Sequence, residues 1–250
     1  MKGFLIEIAG AVFRIESLFD STRDYCCHYW SDRIPEFTVS VALHDLPEEQ
    51  RLLDQEADEE GLKRRRFPDP FLERSVIQRK IAEKLVDLDV LQMHGSTVAV
   101  DGQAYLFTAS CGTGKSTHTR LWREIFGERA VMVNDDKPFL KLTRDGVLAC
   151  GSPWTGKHGL GSNVCYPLKG ICILKRGTEN RIHRIGAEEA RDMLRHQCFQ
   201  PGKQPDSVFP LVERLMERTS LWQMECTKER SAALTAWRAM EGENQGVSEN

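Results

Sequence analysis

One stretch of this sequence combines glycine, lysine and hydroxyl side chains at a spacing that suits phosphate binding. An apolar run ending at Thr108 leads into ASCGTGKST, and a helical pattern follows. Backbone N–H groups in a glycine-rich turn make a concave anion site, and the N-terminus of the next helix adds positive potential there. Lys115 could reach the outer phosphates of a nucleotide, and the Ser116 hydroxyl could bind Mg²⁺. We call residues 109–116 the candidate P-loop.

The candidate P-loop departs from the usual pattern G-x-x-x-x-G-K-[ST] at its first position, where Ala109 replaces glycine. This replacement narrows the backbone angles available at the start of the loop but removes no phosphate donor. The alternative interpretation is a chance glycine turn between a strand and a helix. The residues predicted to surround a bound ATP are Ser110, Cys111, Gly112, Thr113, Gly114, Lys115, Ser116 and Thr117.

A pair of carboxylates follows the next predicted strand. The run AVMV leads directly into Asn134, Asp135 and Asp136. A buried strand that delivers carboxylates at its C-terminal end places them where a nucleotide enzyme needs them. One carboxylate could bind Mg²⁺, and the other could orient or deprotonate an attacking hydroxyl. The alternative interpretation is an Asp-Asp turn that simply ends a strand.

Residues 150–163 contain four glycines together with Lys157 and His158. The segment has little apolar periodicity, which is typical of a long functional loop. Either cation could stabilise negative charge on a phosphoryl group during transfer. We expect this loop to be mobile without ligand and to order over the γ-phosphate. A glycine loop with an exposed lysine is the alternative, and the segment alone favours neither.

Together these segments resemble the HPr serine kinase and phosphoenolpyruvate carboxykinase superfamily, and more closely its bacterial HPr kinase-like subgroup. The resemblance covers roughly residues 91–179 and includes the pair His94-Gly95 ahead of the candidate P-loop. It implies an α/β fold in which a P-loop kinase core is built on a mixed β-sheet, with a small N-terminal strand-rich region. It also implies ATP and Mg²⁺ as cofactors.

The resemblance implies roles for individual residues. The metal ligands of the superfamily carry over to Ser116 and Asp136, and its catalytic aspartate carries over to Asp135. Lys157 is the candidate for the basic residue that assists phosphoryl transfer. His94 completes the catalytic set, more as a support for the loop than as a chemical group.

The predicted function is ATP-dependent transfer of the γ-phosphoryl group to a hydroxyl. Thr117 stands where HPr kinases usually carry an acidic residue, so the acceptor stays open among a peptide, a protein serine and a small molecule. Three alternatives remain. One is a nucleotide-binding regulatory or interaction protein without turnover, and another is HPr kinase/phosphorylase itself. The third is nucleotide hydrolysis without an acceptor, which needs an organised water molecule instead of a hydroxyl pocket.

Composition limits the other function classes. The chain has 250 residues, 40% of them apolar, and a net charge of −3, so it can form a large core but lacks the basic surface that nucleic-acid binding requires. No apolar stretch approaches the roughly 18 residues of a membrane-spanning helix, and no membrane partner is expected. Eight cysteines without a C-x-x-C pair predict reduced thiols and a cytoplasmic location. The oligomeric state is left open.

Three regions are predicted. Residues 1–68 form a strand-rich cap with a charged connector, residues 69–240 form the kinase-like core, and residues 241–250 form a disordered acidic tail. Turn residues between apolar runs predict hairpins at three places, which favours a mixed sheet over an all-parallel one. These turns are Ala9-Gly10, Asp101-Gly102 and Asp145-Gly146.

Overall fold

A computed structural model describes residues 3–202 and 205–242 of the chain. The chain divides into two compact units, Met1–Leu88 and Asp89–Asn250. The boundary lies beyond the predicted one at residue 68, because the helix that follows this position packs against elements of the first unit. The predicted acidic tail lies outside the described residues, except that Glu241 ends a helix and Gly242 follows it.

The first unit combines a small three-stranded sheet with helices. Its elements are β1 (Phe4–Ile8), β2 (Ala11–Glu16), α1 (Asp20–Tyr25), β3 (Phe37–Ser40), α2 (Asp45–Glu59) and α3 (Asp69–Val86). β1 and β2 form the predicted antiparallel hairpin, and β3 pairs with β2 in parallel. Ala9 and Gly10 turn the hairpin at φ values of 51° and 87°. Two consecutive left-handed residues match the twist of paired strands, which confirms this hairpin.

A buried carboxylate ties α3 to the start of α1. Glu73 is fully buried on α3. It accepts hydrogen bonds from the backbone N–H groups of Leu18 and Phe19 and from the Thr22 hydroxyl. Phe19 is the residue before the first turn of α1, and it offers no side-chain cap of its own. Glu73 therefore satisfies donors that would otherwise be buried at a helix start without partners.

We expect Glu73→Ala to destabilise the first unit by about 3 kcal/mol, because three donors lose their acceptor. Glu73→Gln keeps the side-chain length and one acceptor oxygen, so its loss should be smaller. Hydrogen exchange of the amides of α1 in the full-length protein measures both effects. Unchanged exchange in Glu73→Ala would contradict the anchoring role.

The second unit carries the large sheet. Its strands are β4 (Val90–Gln92), β5 (Ser96–Val100), β6 (Gln103–Thr108), β7 (Ala130–Asn134), β8 (Phe139–Thr143), β9 (Gly146–Cys150), β10 (Cys165–Arg176), β11 (Arg181–Arg184) and β12 (Ser220–Cys226). Its helices are α4 (Lys115–Phe126), α5 (Ala187–Gln197), α6 (Phe209–Arg218) and α7 (Arg230–Glu241). The described strands form one mixed sheet in the order β4-β8-β9-β10-β6-β5-β7, with β12 on β10 and β11 on β12. A mixed rather than all-parallel sheet is confirmed.

Strand direction brings several chain segments to one edge of this sheet. β5 runs antiparallel to both β6 and β7, so β6 and β7 point the same way. β10 is parallel to β6 and to β12. Four strands, β7, β6, β10 and β12, therefore end at the edge where β5 begins. In open α/β sheets, ligands bind outside the carboxyl ends of the strands.

Aromatic packing fixes α4 against the sheet. Trp122 of α4 is fully buried, with its ring centroid 4.7 Å from that of Tyr105 and 5.3 Å from that of Phe107 on β6. Aromatic pairs at such separations stabilise a contact beyond their buried area. The position of the N-terminus of α4 is therefore determined by a packed core.

Within the described residues, no helix is both long and apolar enough to cross a membrane.

One pair of cysteines corrects the prediction that all thiols are reduced. Cys150 and Cys165 form a disulfide, with their Cα atoms 4.1 Å apart. They lie directly opposite each other in the antiparallel pair of β9 and β10. The two cysteines are 15 positions apart in the sequence. This separation does not predict a disulfide, because the pairing depends on strand register. Six other cysteines lie in the described part of the chain outside any disulfide: Cys26, Cys27, Cys111, Cys172, Cys198 and Cys226.

Candidate functional site

The candidate P-loop joins the end of β6 to the start of α4, as predicted. Gly114 immediately precedes the helix at a φ of 123°, which a residue with a Cβ rarely adopts. Ala109 is buried and does not need a left-handed conformation, so its replacement of glycine is compatible with this loop. Lys115 is 9% exposed, and its Nζ donates to the Ala109 carbonyl across the loop at 2.9 Å.

A serine hydroxyl connects the candidate P-loop helix to the acidic pair. Ser96, the first residue of β5, is fully buried. Its Oγ donates to Asp135 Oδ1 at 2.7 Å and lies 2.7 Å from Oγ1 of Thr119 on α4. Asp135 is only 7% exposed. A hydrogen bond to a buried carboxylate fixes its rotamer, so α4, β5 and the end of β7 hold a common geometry.

His94 lies beside the second carboxylate. Its Nε2 is 3.4 Å from Asp136 Oδ1. Burial lowers the pKa of His94 to about 3, and the positive charges of Lys115 and Lys137 add to this effect. The imidazole is therefore neutral at pH 7, and its contact with Asp136 is dipolar rather than an ion pair. The backbone of His94 accepts a hydrogen bond from the Thr108 hydroxyl at 2.9 Å, which links this residue to the end of β6.

Asn134 shapes the turn that presents the two carboxylates. Its Oδ1 accepts from the backbone N–H groups of Asp136 at 2.8 Å and Lys137 at 2.6 Å. Its Nδ2 donates to the carbonyl and the hydroxyl of Ser152, both at 3.0 Å. Asparagine is well suited to this task because its amide can donate and accept at once. The Asn134 side chain thus fixes both the turn and the glycine-rich loop.

The glycine-rich loop returns to the acidic pair. The backbone N–H of Asp135 donates to the carbonyl of Leu160 at 3.0 Å. Asn134 pairs with Gly161 in an isolated antiparallel β-bridge. A Cβ added to Gly156 would lie 3.0 Å from the Cβ of Asp136. The backbone next to Lys157 therefore passes close to Asp136, while Lys157 itself is exposed. The predicted ordering of this loop over a phosphate stays a prediction.

The structure brings most of the predicted site residues to one edge of the sheet. The candidate P-loop, His94 and both aspartates meet there, with the backbone around Lys157 beside them. Sequence analysis missed the connecting polar side chains, which are Ser96, Thr119, Asn134 and Ser152. Ser96 begins an apolar run and Asn134 ends one, and this pattern is common in turns, so it does not distinguish a functional residue.

The oxygen atoms at this edge are of the chemical kind that Mg²⁺ binds. Among the described residues, no group of three or more histidine, cysteine or acidic side chains could hold a metal ion. Magnesium does not need such a group, because it takes one or two carboxylates and completes its shell with phosphate and water oxygens. The carboxylate of Asp136 and the hydroxyl of Ser116 are both partly exposed and are hard ligands of the required kind.

Comparisons with known proteins give a distant structural relationship. No protein-family model matches the sequence, and no curated protein matches it. Among solved structures, the chain is similar to the HPr(Ser) kinase/phosphatase from Coxiella burnetii, with 13% sequence identity and a TM-score of 0.36. The match covers 62% of this chain and 99% of that chain. Likeness at this level carries no conclusion about this chain, so its activity has to be argued from the site.

We expect Gly151→Ala to disrupt the loop that returns to the acidic pair. A Cβ at this position would lie 1.9 Å from the carbonyl oxygen of Ser162 and 2.8 Å from that of Val133. Because both are backbone atoms, the loop must move to relieve these two clashes. This movement should lower the free energy of unfolding by about 3 kcal/mol. The melting temperature should fall by roughly ten degrees.

Gly202→Ala is the matched control, because nothing lies within 4 Å of a Cβ built at that position. Its melting temperature should stay within about one degree of wild type. Equal melting temperatures for Gly151→Ala and Gly202→Ala would show that the loop does not pack against β7 as described.

Proposed function

We propose that this protein transfers the γ-phosphoryl group of ATP to a hydroxyl group. The oxygen of the acceptor hydroxyl attacks the γ-phosphorus, the bond to the β-phosphate oxygen breaks, and a carboxylate receives the hydroxyl proton. The products are a phosphate ester and ADP. The acceptor is a serine of a peptide or protein, or a small molecule with a hydroxyl group.

One observation supports this proposal above the others. The hydrogen bond between Thr119 and Ser96 and the one from Ser96 to Asp135 connect the helix of the candidate P-loop to the acidic pair. A kinase needs this proximity, since a phosphate cradle and a carboxylate must act on the same phosphorus atom. A chance glycine turn or a simple strand-ending Asp-Asp turn would require no such link.

The proposed roles follow from position. Backbone N–H groups of the candidate P-loop and the ammonium of Lys115 hold the β- and γ-phosphates. Lys115 must release the Ala109 carbonyl to do so, and it exchanges that neutral acceptor for a charged one. Lys157, beside Asp136 in the chain fold, stabilises charge on the group in transfer. His94 positions Asp136, because its neutral, partly buried imidazole lies beside that carboxylate.

The two aspartates divide the remaining tasks. Asp135 is the proposed base and Asp136 the proposed ligand of Mg²⁺, which would neutralise phosphate charge when bound. Exposure favours the reverse assignment, because Asp135 is 7% exposed and hydrogen-bonded to Ser96, whereas the Asp136 side chain is 31% exposed. A base must reach the acceptor hydroxyl. Experiment must therefore separate two assignments of the same pair.

We expect Lys115→Ala to abolish phosphoryl transfer and to weaken ATP binding at least tenfold, because a charge-assisted contact to the phosphates is lost. Titration calorimetry and transfer from labelled ATP to candidate hydroxyl acceptors measure the two effects. Lys84→Ala, which changes an exposed lysine of α3, is the control. ATP affinity and transfer equal to wild type in Lys115→Ala would overturn the P-loop assignment.

The same labelling experiment separates the alternative functions. Label on an acceptor indicates a kinase, release of free phosphate indicates a hydrolase, and binding without either indicates a regulatory nucleotide-binding protein. HPr kinase/phosphorylase itself would require label on the HPr protein. It would also require the reverse reaction, in which inorganic phosphate removes the phosphoryl group.

We expect the variants Asp135→Asn and Asp136→Asn to differ in kind. The variant that loses the base should bind ATP normally but lose about 10²–10⁴-fold in kcat. The variant that loses the metal ligand should need more Mg²⁺ for half-maximal activity. Magnesium titrations of turnover for both variants assign the roles. A shift in magnesium requirement alone in both variants would exclude a catalytic base in this pair.

A further inference from the structure

A cavity lies beside the candidate P-loop, on the side away from the acidic pair. It has a volume of about 380 Å³. One wall comes from the candidate P-loop and α4, and the other comes from the ends of β10 and β12 and the turn before α7. Its lining includes Gly114, Thr117, His118, Arg176, Thr227 and Lys228. The sheet order explains this position, because β10 and β12 follow β6 on one side and β7 lies on the other.

A buried histidine in this lining has no hydrogen-bond partner in the described part of the chain. His118 lies on the first turns of α4 and is 2% exposed. Among the described residues, neither ring nitrogen has a partner. Its ring packs against Phe107, with the centroids 4.5 Å apart. A buried polar group of this kind is normally satisfied, so its orphaned state calls for an explanation such as a ligand.

An arginine connects the same cavity to the candidate P-loop. Arg176, the last residue of β10, donates from Nη2 to the carbonyl of Gly112 at 2.5 Å. It also lines the cavity. The cavity is therefore continuous with the predicted phosphate site. A ligand whose phosphates occupy the loop would extend either toward the acidic pair or into this cavity.

We propose that this cavity binds the nucleoside part of the nucleotide and that His118 supplies a hydrogen bond to its ribose or base. The inference rests on the proposed function. With the γ-phosphate directed at Asp135 and Asp136, the opposite end of the nucleotide leaves the loop on the β10 and β12 side. A neutral imidazole carries one donor and one acceptor, and sugar hydroxyls and base edges offer matching groups.

Two probes separate the nucleoside from the phosphates. Magnesium–ATP has both parts, whereas magnesium–tripolyphosphate has only the phosphate chain. His118→Leu removes the hydrogen-bonding ring nitrogens and keeps an apolar side chain. We expect it to weaken ATP binding about tenfold and to leave tripolyphosphate affinity within about twofold of wild type. His183→Leu, which changes an exposed histidine of β11, should alter neither affinity.

A second measurement shows whether the variant is folded. Because a buried polar group without a partner is unfavourable, His118→Leu should melt at or above the wild-type temperature without ligand. The stabilisation that ATP adds should be smaller than in wild type. Binding of ATP no tighter than tripolyphosphate in the wild type, or an equal change in both affinities in His118→Leu, would overturn the nucleoside site and leave the P-loop assignment intact. Binding of neither probe would overturn both.

Discussion

The hydroxyl of Ser96 joins the three elements that carry the candidate site. Ser96 is the first residue of β5. Its hydroxyl donates to Asp135 after β7 and lies within hydrogen-bond distance of Thr119 on α4. All three residues are nearly inaccessible to solvent, so the bonds form in surroundings of low polarity, where they are strong and costly to break. The distance between the loop that would hold phosphate and the carboxylates that would act on it depends on this contact.

The sheet supplies the frame in which that contact is possible. β5 begins at the functional edge and lies between two strands, β6 and β7, that end there. Its first residue therefore lies between the candidate P-loop and the acidic pair. The aromatic contacts of Trp122 fix α4 against the sheet. The Asn134 side chain fixes the turn that carries the two aspartates after β7. Rigid packing around a polar centre of this kind is how a fold preorganises a site.

The sequence predicted the structural features that depend on residues close together in the chain. Ala9-Gly10 and Asp101-Gly102 are left-handed pairs, and both turn hairpins as expected. The strand–loop–helix order around Lys115 was equally readable, because glycine and helix periodicity are local signals. The Ser96 link and the Cys150–Cys165 disulfide depend on which strands become neighbours and in what register. No spacing in the sequence carries that information.

The disulfide has a consequence for the integrity of the chain. Cys150 and Cys165 stand at the two ends of the glycine-rich segment and close it into a covalent ring. The exposed residues around Lys157 form the outer part of this ring, and exposed loop tips are preferred sites of proteolytic nicking. A single cut there would leave both parts of the chain joined through sulfur. Such a molecule would run as one species on a non-reducing gel and as two after thiol treatment.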